Sequence, residues 1–524
     1  MTTEQTMSIA PATGETIGHT PLDSPAGVKS AVRRAREAQH DWAERTFRER
    51  ARHLFLIRDF IVNRADDLAS VISRDNGKTR IDALSTEILP AALTATYYAR
   101  HARQLLRRHT IRAGSILLVN KRSYVERVPF GVIGIISPWN YPFSIPFHEI
   151  IMALISGNGV IVKTATQTQE VAKALAECLN AGNLPDGLCT FLNLPGQAAG
   201  DAFLDAGIDK LFFTGSVAVG RELMAKAGKR LVPVSLELGG NDAMIVCRDA
   251  NLYRAAAGAA WAGYSNCGQS CGGVERIYVE KPVYAQFMEF LRSETRALRY
   301  GHDTAFNVEI GAMTTEQQLN TVKRHMQDAL GKGAVVTAEA LSFDGPSTGW
   351  FFPPTILENV TDDMLTMREE TFGPILAVMP VDSVEEAIAR ANDSFLGLTA
   401  SVWSRDRQRA HRIAALLEAG TVTINDHLMS HGMAETPWGG FKSSGIGRTH
   451  GYLGLEEMTQ PRCVVDDILP GVQRNMWWYP HGRRVYRGLL GALHALYSRN
   501  LLLRTRGLIA MTGLFVRTFR RERR

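Results

Sequence analysis

Hydrophobic and polar positions divide the chain into stretches of different period. Over residues 26–110 apolar positions recur every third or fourth residue (Phe55, Ile57, Phe60, Ile61, then Leu89, Leu93, Tyr97, Tyr98) with charges between them, which predicts helices. From Gly131 short, wholly apolar runs alternate with amphipathic stretches. Val132-Ile-Gly-Ile-Ile136 and Gly159-Val-Ile-Val162 read as buried parallel strands. Helices are expected at about 168–181 and 197–206, with the strand Lys210-Leu-Phe-Phe213 after them. Beyond Glu237 a second alternating segment runs to about residue 430, with helices near 282–298 and 314–331 and strands near 334–338, 374–380 and 421–425. Alternation of this kind predicts an α/β fold whose doubly wound sheets bind ligand beyond their strand ends. Ser115–Val128 breaks the rhythm with two short strands about a polar turn, hence a hairpin.

The end of the chain follows another pattern. Trp477-Trp-Tyr479 precedes Arg483, Arg484 and Arg487, then Leu489, Leu490, Leu493, Leu496 and Tyr497; a second unit runs from Leu501-Leu-Leu503 to Phe515-Val516 and ends in Arg517, Arg520, Arg521, Arg523 and Arg524. The uncharged runs Gly488–Ser498 and Gly507–Val516 fall well short of the roughly twenty residues that span a bilayer. Interfacial aromatics, apolar helical faces and flanking arginines predict helices lying on an anionic membrane surface. A tail packed on the body or on a partner subunit is the alternative. Charge supports a separate tail. Residues 470–524 hold twelve arginines, no lysine and one acid, giving +11, so the rest of the +6 chain carries 6 − 11 = −5. The basicity therefore belongs to the tail, and no nucleic-acid partner is expected.

At 524 residues with 45% hydrophobic and 21% charged residues, two or three globular domains are expected. Cys178, Cys189, Cys247, Cys267, Cys271 and Cys463 are scattered without a disulfide framework, which suits a reducing compartment. The polar first twenty residues lack a secretion signal's apolar core, so a cytoplasmic protein, peripheral on the inner membrane face, is expected.

Candidate chemistry centres on Asn266-Cys-Gly-Gln-Ser-Cys-Gly-Gly-Val-Glu275. A thiol among small residues has a free approach path for a carbonyl, although most free cysteines are small core hydrophobes. The surroundings favour chemistry at Cys271. Glu237-Leu-Gly-Gly-Asn241 and Ser137-Pro-Trp-Asn-Tyr-Pro-Phe143 supply a carboxylate and an amide, the remaining parts for carbonyl attack, oxyanion stabilisation and release by water. Thr214-Gly-Ser-Val-Ala-Val-Gly220 sits at a strand-to-helix junction, where Gly215 and Gly220 allow close backbone approach and the helix opening after Ser216 suits pyrophosphate. A capped helix start explains that pattern equally well. The usual Gly-x-Gly-x-x-Gly fingerprint is absent. Cys267 precedes Cys271 by four residues, but no histidine or further cysteine clusters nearby, so no metal site is expected.

These motifs in this order, from about Pro11-Ala-Thr-Gly-Glu-Thr-Ile-Gly18 to about Val465, resemble the aldehyde dehydrogenase superfamily. The resemblance implies two doubly wound α/β domains, cofactor and catalytic, plus a small β oligomerisation excursion. The implied boundaries are 1–112 with 129–236 for the cofactor domain and 237–448 for the catalytic domain. Residues 113–128 with about 449–466 would form the oligomerisation strands of a homodimer or homotetramer, leaving 467–524 as tail. It implies Cys271 as nucleophile, Asn140 as oxyanion donor and Glu237 as the base of thioester hydrolysis. Trp139, Lys163, Gly215, Ser216, Gly220, Glu370 and Phe372 fall at its cofactor positions, the last two within Glu370-Thr-Phe-Gly-Pro374. Thr166 stands where many NAD-preferring members carry an acid, so NAD or NADP is implied. His148 replaces an arginine that holds the distal carboxylate in succinate-semialdehyde enzymes. With Phe143, Phe147 and Trp438 it points to an apolar or aromatic tunnel and a hydrophobic aldehyde; a semialdehyde is the alternative. Retention of Glu237 argues against transfer to coenzyme A. A non-enzymatic membrane protein would show no cofactor reduction.

Overall fold

The computed structural model describes residues 4–343 and 348–519. They form two compact units, a larger one running to Arg107 and from Arg127 to Gln460, and a smaller one made of Arg108–Glu126 and the chain from Pro461 on.

The larger unit holds two sheets. In the first, β1 (Val132–Ile136), β2 (Gly159–Lys163), β3 (Cys189–Phe191), β4 (Lys210–Thr214) and β5 (Val234–Glu237) run parallel in the order β5-β4-β1-β2-β3. Side chains alternate between two cores, as the period of a strand demands. Ile133, Ile135, Val160, Val162 and Phe212 enter the core beneath helices Phe47–Asn63 and Leu89–Leu105, while Val132, Ile136, Ile161, Leu211 and Phe213 enter the one beneath Pro25–Glu44 and Gly196–Ala206. Covered on both faces, β1, β2 and β4 are apolar through their middles, which is why they are legible as runs.

The second sheet contains β6 (Asp242–Val246), β7 (Val274–Glu280), β8 (Val335–Glu339), β9 (Thr355–Glu358), β10 (Ile375–Val381), β11 (Thr399–Trp403) and β12 (Thr421–Ile424), in the order β8-β9-β10-β7-β6-β11-β12, parallel except for β8. It has its own core. A short strand, β13 (Gly445–Ile446), returns to the first sheet and pairs antiparallel with β5, setting Gly445 opposite Glu237. The glycine-rich stretch thus lies directly along the strand that carries the carboxylate.

In the smaller unit, strands His109–Ile111 and Lys121–Pro129 pair antiparallel and Thr459–Asp467 completes a three-stranded sheet. The expected hairpin is therefore shifted: Ile116–Leu118 is a 3₁₀ turn with Ser115 accepting from Leu117 N–H, so the apolar run forms the turn rather than the first strand. Helices Arg483–Tyr497 and Leu501–Phe519 fold back on each other, and Gly491 and Gly507 let their backbones approach; a Cβ on Gly507 would fall 2.5 Å from the Gly491 carbonyl oxygen. Arg517 is buried, its guanidinium donating to the Met476, Trp478 and Pro480 carbonyls, so it does not act as a flanking surface charge. Arg520, Arg521, Arg523 and Arg524 lie outside the described residues.

Candidate active site

Strand order in the first sheet reverses between β1 and β4, which places a crevice beyond their carboxyl ends. Ser137–Asn140 leaves the end of β1 and Thr214–Ser216 leaves the end of β4. Ser216 Oγ caps the helix Val217–Gly228, accepting from Val219 N–H at 3.4 Å. Gly215 and Ser216 line a cavity of about 270 Å³ with Trp139, Asn140, Glu237, Cys271, Glu370 and Phe372. The Trp139 and Phe372 rings meet edge to face at 5.5 Å, and Glu370 accepts from Gly240 N–H at 3.0 Å. An open helix N-terminus, a buried carboxylate and two aromatic rings suit the phosphate, ribose and ring of a dinucleotide.

Cys271 comes from the opposite side, at the amino end of β7. Its loop is held in an uncommon shape: Asn266 and Cys267 have φ of 54° and 55°, and Gly268 has φ of 70°. Non-glycine residues persist in that region only where surrounding contacts fix them. Here Asn266 N–H donates to Asp82 at 3.0 Å, and Asn266 Nδ2 donates to the Asn140 carbonyl at 2.9 Å. A second cavity, about 210 Å³, also includes Cys271 in its lining, walled by Leu89, Pro90, Leu93, Tyr141, Trp261, Leu428, Met429, His431 and Trp438. Cys271 therefore lines both an apolar cavity and the one that carries Asn140, Glu237 and Glu370. A third, small space of about 20 Å³ touches it too, bordered by Glu149, Glu237 and His450.

Burial pushes the Cys271 thiol up, and the carboxylates of Glu370, Asp242 and Glu237 add to the rise. Glu237 ends β5, and neither of its oxygens has a hydrogen-bond partner among the described residues. Burial holds it well above the usual carboxylate range, against the pull of Arg448. Glu149 is likewise pushed up to about 8 by burial, with Thr214 Oγ1 donating to it at 3.4 Å. Asn140 Nδ2 donates to the Gln269 carbonyl at 3.1 Å, which occupies one amide hydrogen and leaves the other for a ligand.

Several expectations need correction. Phe143 and Phe147 do not line the tunnel: both are fully buried in the core beneath the first sheet, stacked at 5.9 Å, because every residue of helix Ser144–Ile155 is enclosed. His148 also turns inward, hydrogen-bonding Thr94 and the Ser144 carbonyl. Burial lowers it to about 4, so it is neutral. Gly220 does not border the cofactor-side cavity; a Cβ there would fall 2.6 Å from Leu238, so it serves close helix packing. Lys163, expected at the cofactor's adenosine ribose rather than beside Cys271, ends β2, buried and lowered to about 8 by desolvation. Trp438 does line the tunnel, against Gly272, where a Cβ would fall 2.6 Å from its ring.

The sequence reading missed the support of Asn140. Lys78 Nζ, fully buried, donates to the Asn140 carbonyl at 2.9 Å, pairs with Glu87 at 2.7 Å and sits 4.2 Å from the Tyr141 ring. Glu87 in turn accepts from Phe143 and Ser144 N–H. Only a basic and an acidic residue in a helical stretch are visible in sequence, a pattern that usually means surface.

The larger unit thus holds two doubly wound α/β sheets, with Cys271 in the lining of two cavities. Residues 1–464 match the family model of the aldehyde dehydrogenase family, and the chain belongs to that family. It is 36% identical over 496 residues to the 4,4'-diapolycopene aldehyde oxidase of Methylomonas sp., covering 95% of this chain and 92% of that one. Among solved structures, the NAD+ complex of aldehyde dehydrogenase from Bacillus cereus superposes with a TM-score of 0.84 at 32% identity, covering 89% of this chain and 94% of the other. The succinate-semialdehyde dehydrogenase from Burkholderia pseudomallei gives 0.84 at 33%, covering 88% and 95%.

Proposed function

We propose that the protein oxidises a hydrophobic aldehyde to its carboxylic acid with NAD+ or NADP+. The observation that carries this reading is the position of Cys271 in the walls of both an apolar tunnel and the crevice that holds Asn140, Glu237 and Glu370. Cys271 gives up its thiol proton to water, and the thiolate adds to the aldehyde carbon. The free amide hydrogen of Asn140 and the Cys271 backbone N–H hold the oxyanion; loss of one such donor costs about 3–4 kcal/mol. A dinucleotide held by Gly215, Ser216, Glu370 and Phe372 would supply the hydride acceptor. Hydride loss leaves a thioester on Cys271, and Glu237 takes a proton from the water that hydrolyses it. A carboxyl with raised pKa is a stronger base once ionised, which this step requires.

The names of the relatives divide between substrates, and the make-up of the tunnel supports the apolar one. A distal carboxylate needs a cation. No lysine or arginine stands in the tunnel wall among the described residues. Its histidine, His431, is lowered to about 3 by burial and by His148, hence neutral. A semialdehyde is thereby disfavoured. The test is reduction of either cofactor, followed by absorbance, with octanal, benzaldehyde and succinate semialdehyde. Preference for the semialdehyde would contradict the apolar reading.

We further propose that the tail docks on an anionic membrane, on the cytoplasmic side. Among the described residues no helix is long and apolar enough to cross a membrane. The tail helices nevertheless leave Leu493, Tyr497, Leu501, Ile509 and Phe515 more than half exposed, beside the tail's arginines, the composition of an interfacial anchor. Deletion of 470–524 should abolish binding to phosphatidylserine liposomes and spare turnover of a soluble aldehyde; retained binding would contradict it. The exposed strand Thr459–Asp467, at the edge of its sheet, is the proposed seam of a homodimer or homotetramer.

A further inference from the structure

We infer that the chain of the substrate continues beyond the tunnel into a second apolar groove, which makes long unbranched aldehydes the preferred class; this rests on the aldehyde-oxidising reading above. Ser85 and Leu89, one helical turn apart, border two spaces at once. One is the tunnel to Cys271. The other is a groove of about 380 Å³ walled by Val62, Ala65, Ile81, Leu84, Ile88 and Ala92. Neither lining holds an Asp, Glu, Lys or Arg, so a chain leaving the tunnel over Ser85 and Leu89 meets apolar surface on both sides.

The groove is open to water at a cost. Ile81 is 58% exposed, Val62 55%, Leu89 54% and Leu84 47%, and clustered aliphatic surface of this kind marks a binding region more often than scattered single residues do. The backbone is special at the same place: Leu84–Ile88 is a π-helical turn between Arg80–Ala83 and Leu89–Leu105, a rare element enriched at functional sites. Continuity with the cavity at the reactive sulfur commits the groove to the far end of the substrate. A second copy of this chain covering the same surface is the competing occupant.

The test is the ratio of kcat/KM for hexadecanal to that for octanal, compared among wild type, Ile81→Glu and Val62→Glu, with the oligomeric state of each measured. Loss of folded enzyme lowers both rates and leaves the ratio unmoved, so the ratio reads the groove itself. For wild type the ratio should be well above one, gaining at most about fourfold for each methylene laid on apolar surface. Each charged variant should lower it tenfold or more. A wild-type ratio near one, or an unchanged ratio in both variants, overturns the inference while leaving aldehyde oxidation intact. An altered oligomeric state with an unchanged ratio assigns the groove to a second copy and overturns it as well. Failure of wild type on octanal and hexadecanal alike overturns the underlying reading, and the groove assignment falls with it.

Discussion

Replacing Glu237 by glutamine separates the two halves of the proposed reaction. The carboxyl is buried at the end of β5 with both oxygens lacking a hydrogen-bond partner among the described residues, so glutamine keeps the wall and removes the proton acceptor. General-base catalysis contributes roughly 10²–10⁴-fold, about 3–5.5 kcal/mol of the barrier to thioester hydrolysis. Addition of Cys271 and hydride loss do not use this carboxyl. A stopped-flow record at the nicotinamide absorbance band should therefore show a burst near one equivalent per site, followed by a steady rate lowered by that factor. Wild-type steady turnover would refute the assignment, and a slow rate with no burst would move Glu237 ahead of the thioester. Stability gives an independent readout. Burial raises the folded pKa above the ordinary 4.5, so the unfolded chain releases this proton first. Stability is then lost as pH rises from about 4.5 towards the folded value. At neutral pH the glutamine variant should melt higher, since the amide does not titrate and escapes this pH-dependent loss.

Other outcomes follow from the same geometry. Cys271→Ala should abolish turnover yet still quench nucleotide fluorescence on binding, because the crevice walls remain. Lys78→Met leaves the Glu87 carboxyl uncompensated in the interior and should cost about 3–5 kcal/mol in a denaturant titration; a loss below about 1 kcal/mol would show the pair to be dispensable. Thr166→Glu should lower kcat/KM with NADP+ by roughly tenfold or more and leave NAD+ largely unaffected, since a carboxylate repels the 2′-phosphate; equal effects on both would remove Thr166 from the ribose site.

Most of the fold was legible because buried parallel strands are apolar on both faces. Val132–Ile136, Gly159–Lys163 and Ile375–Val381 could be read directly, and their flanking helices by period. Antiparallel and short elements were not. The hairpin Gln5–Ile9 with Thr16–Pro21 mixes polar and apolar residues and buries only Ser8 fully, so no apolar run announced it, and Ile116–Leu118 is apolar yet forms a turn. At the site, Cys271, Glu237 and Asn140, far apart in sequence, all line one cavity. The tunnel was misread because spacing along helix Ser144–Ile155 does not say which face meets a cavity when every face is buried. Phe143 and Phe147 went to the core, and the tunnel wall came from Leu89, Pro90 and Leu93, distant in sequence. Lys78 was invisible for a related reason: its partners, Glu87 and the Asn140 carbonyl, are chosen by the fold.

The central claim is an acyl group held on one sulfur. Glu237→Gln, mixed with octanal and NAD(P)+, quenched in acid during the slow phase and digested, should yield the peptide containing Cys271 heavier by one octanoyl group, with unmodified peptide when cofactor is omitted. An unmodified Cys271 peptide under turnover conditions, or the octanoyl group on Cys267 instead, would contradict the account.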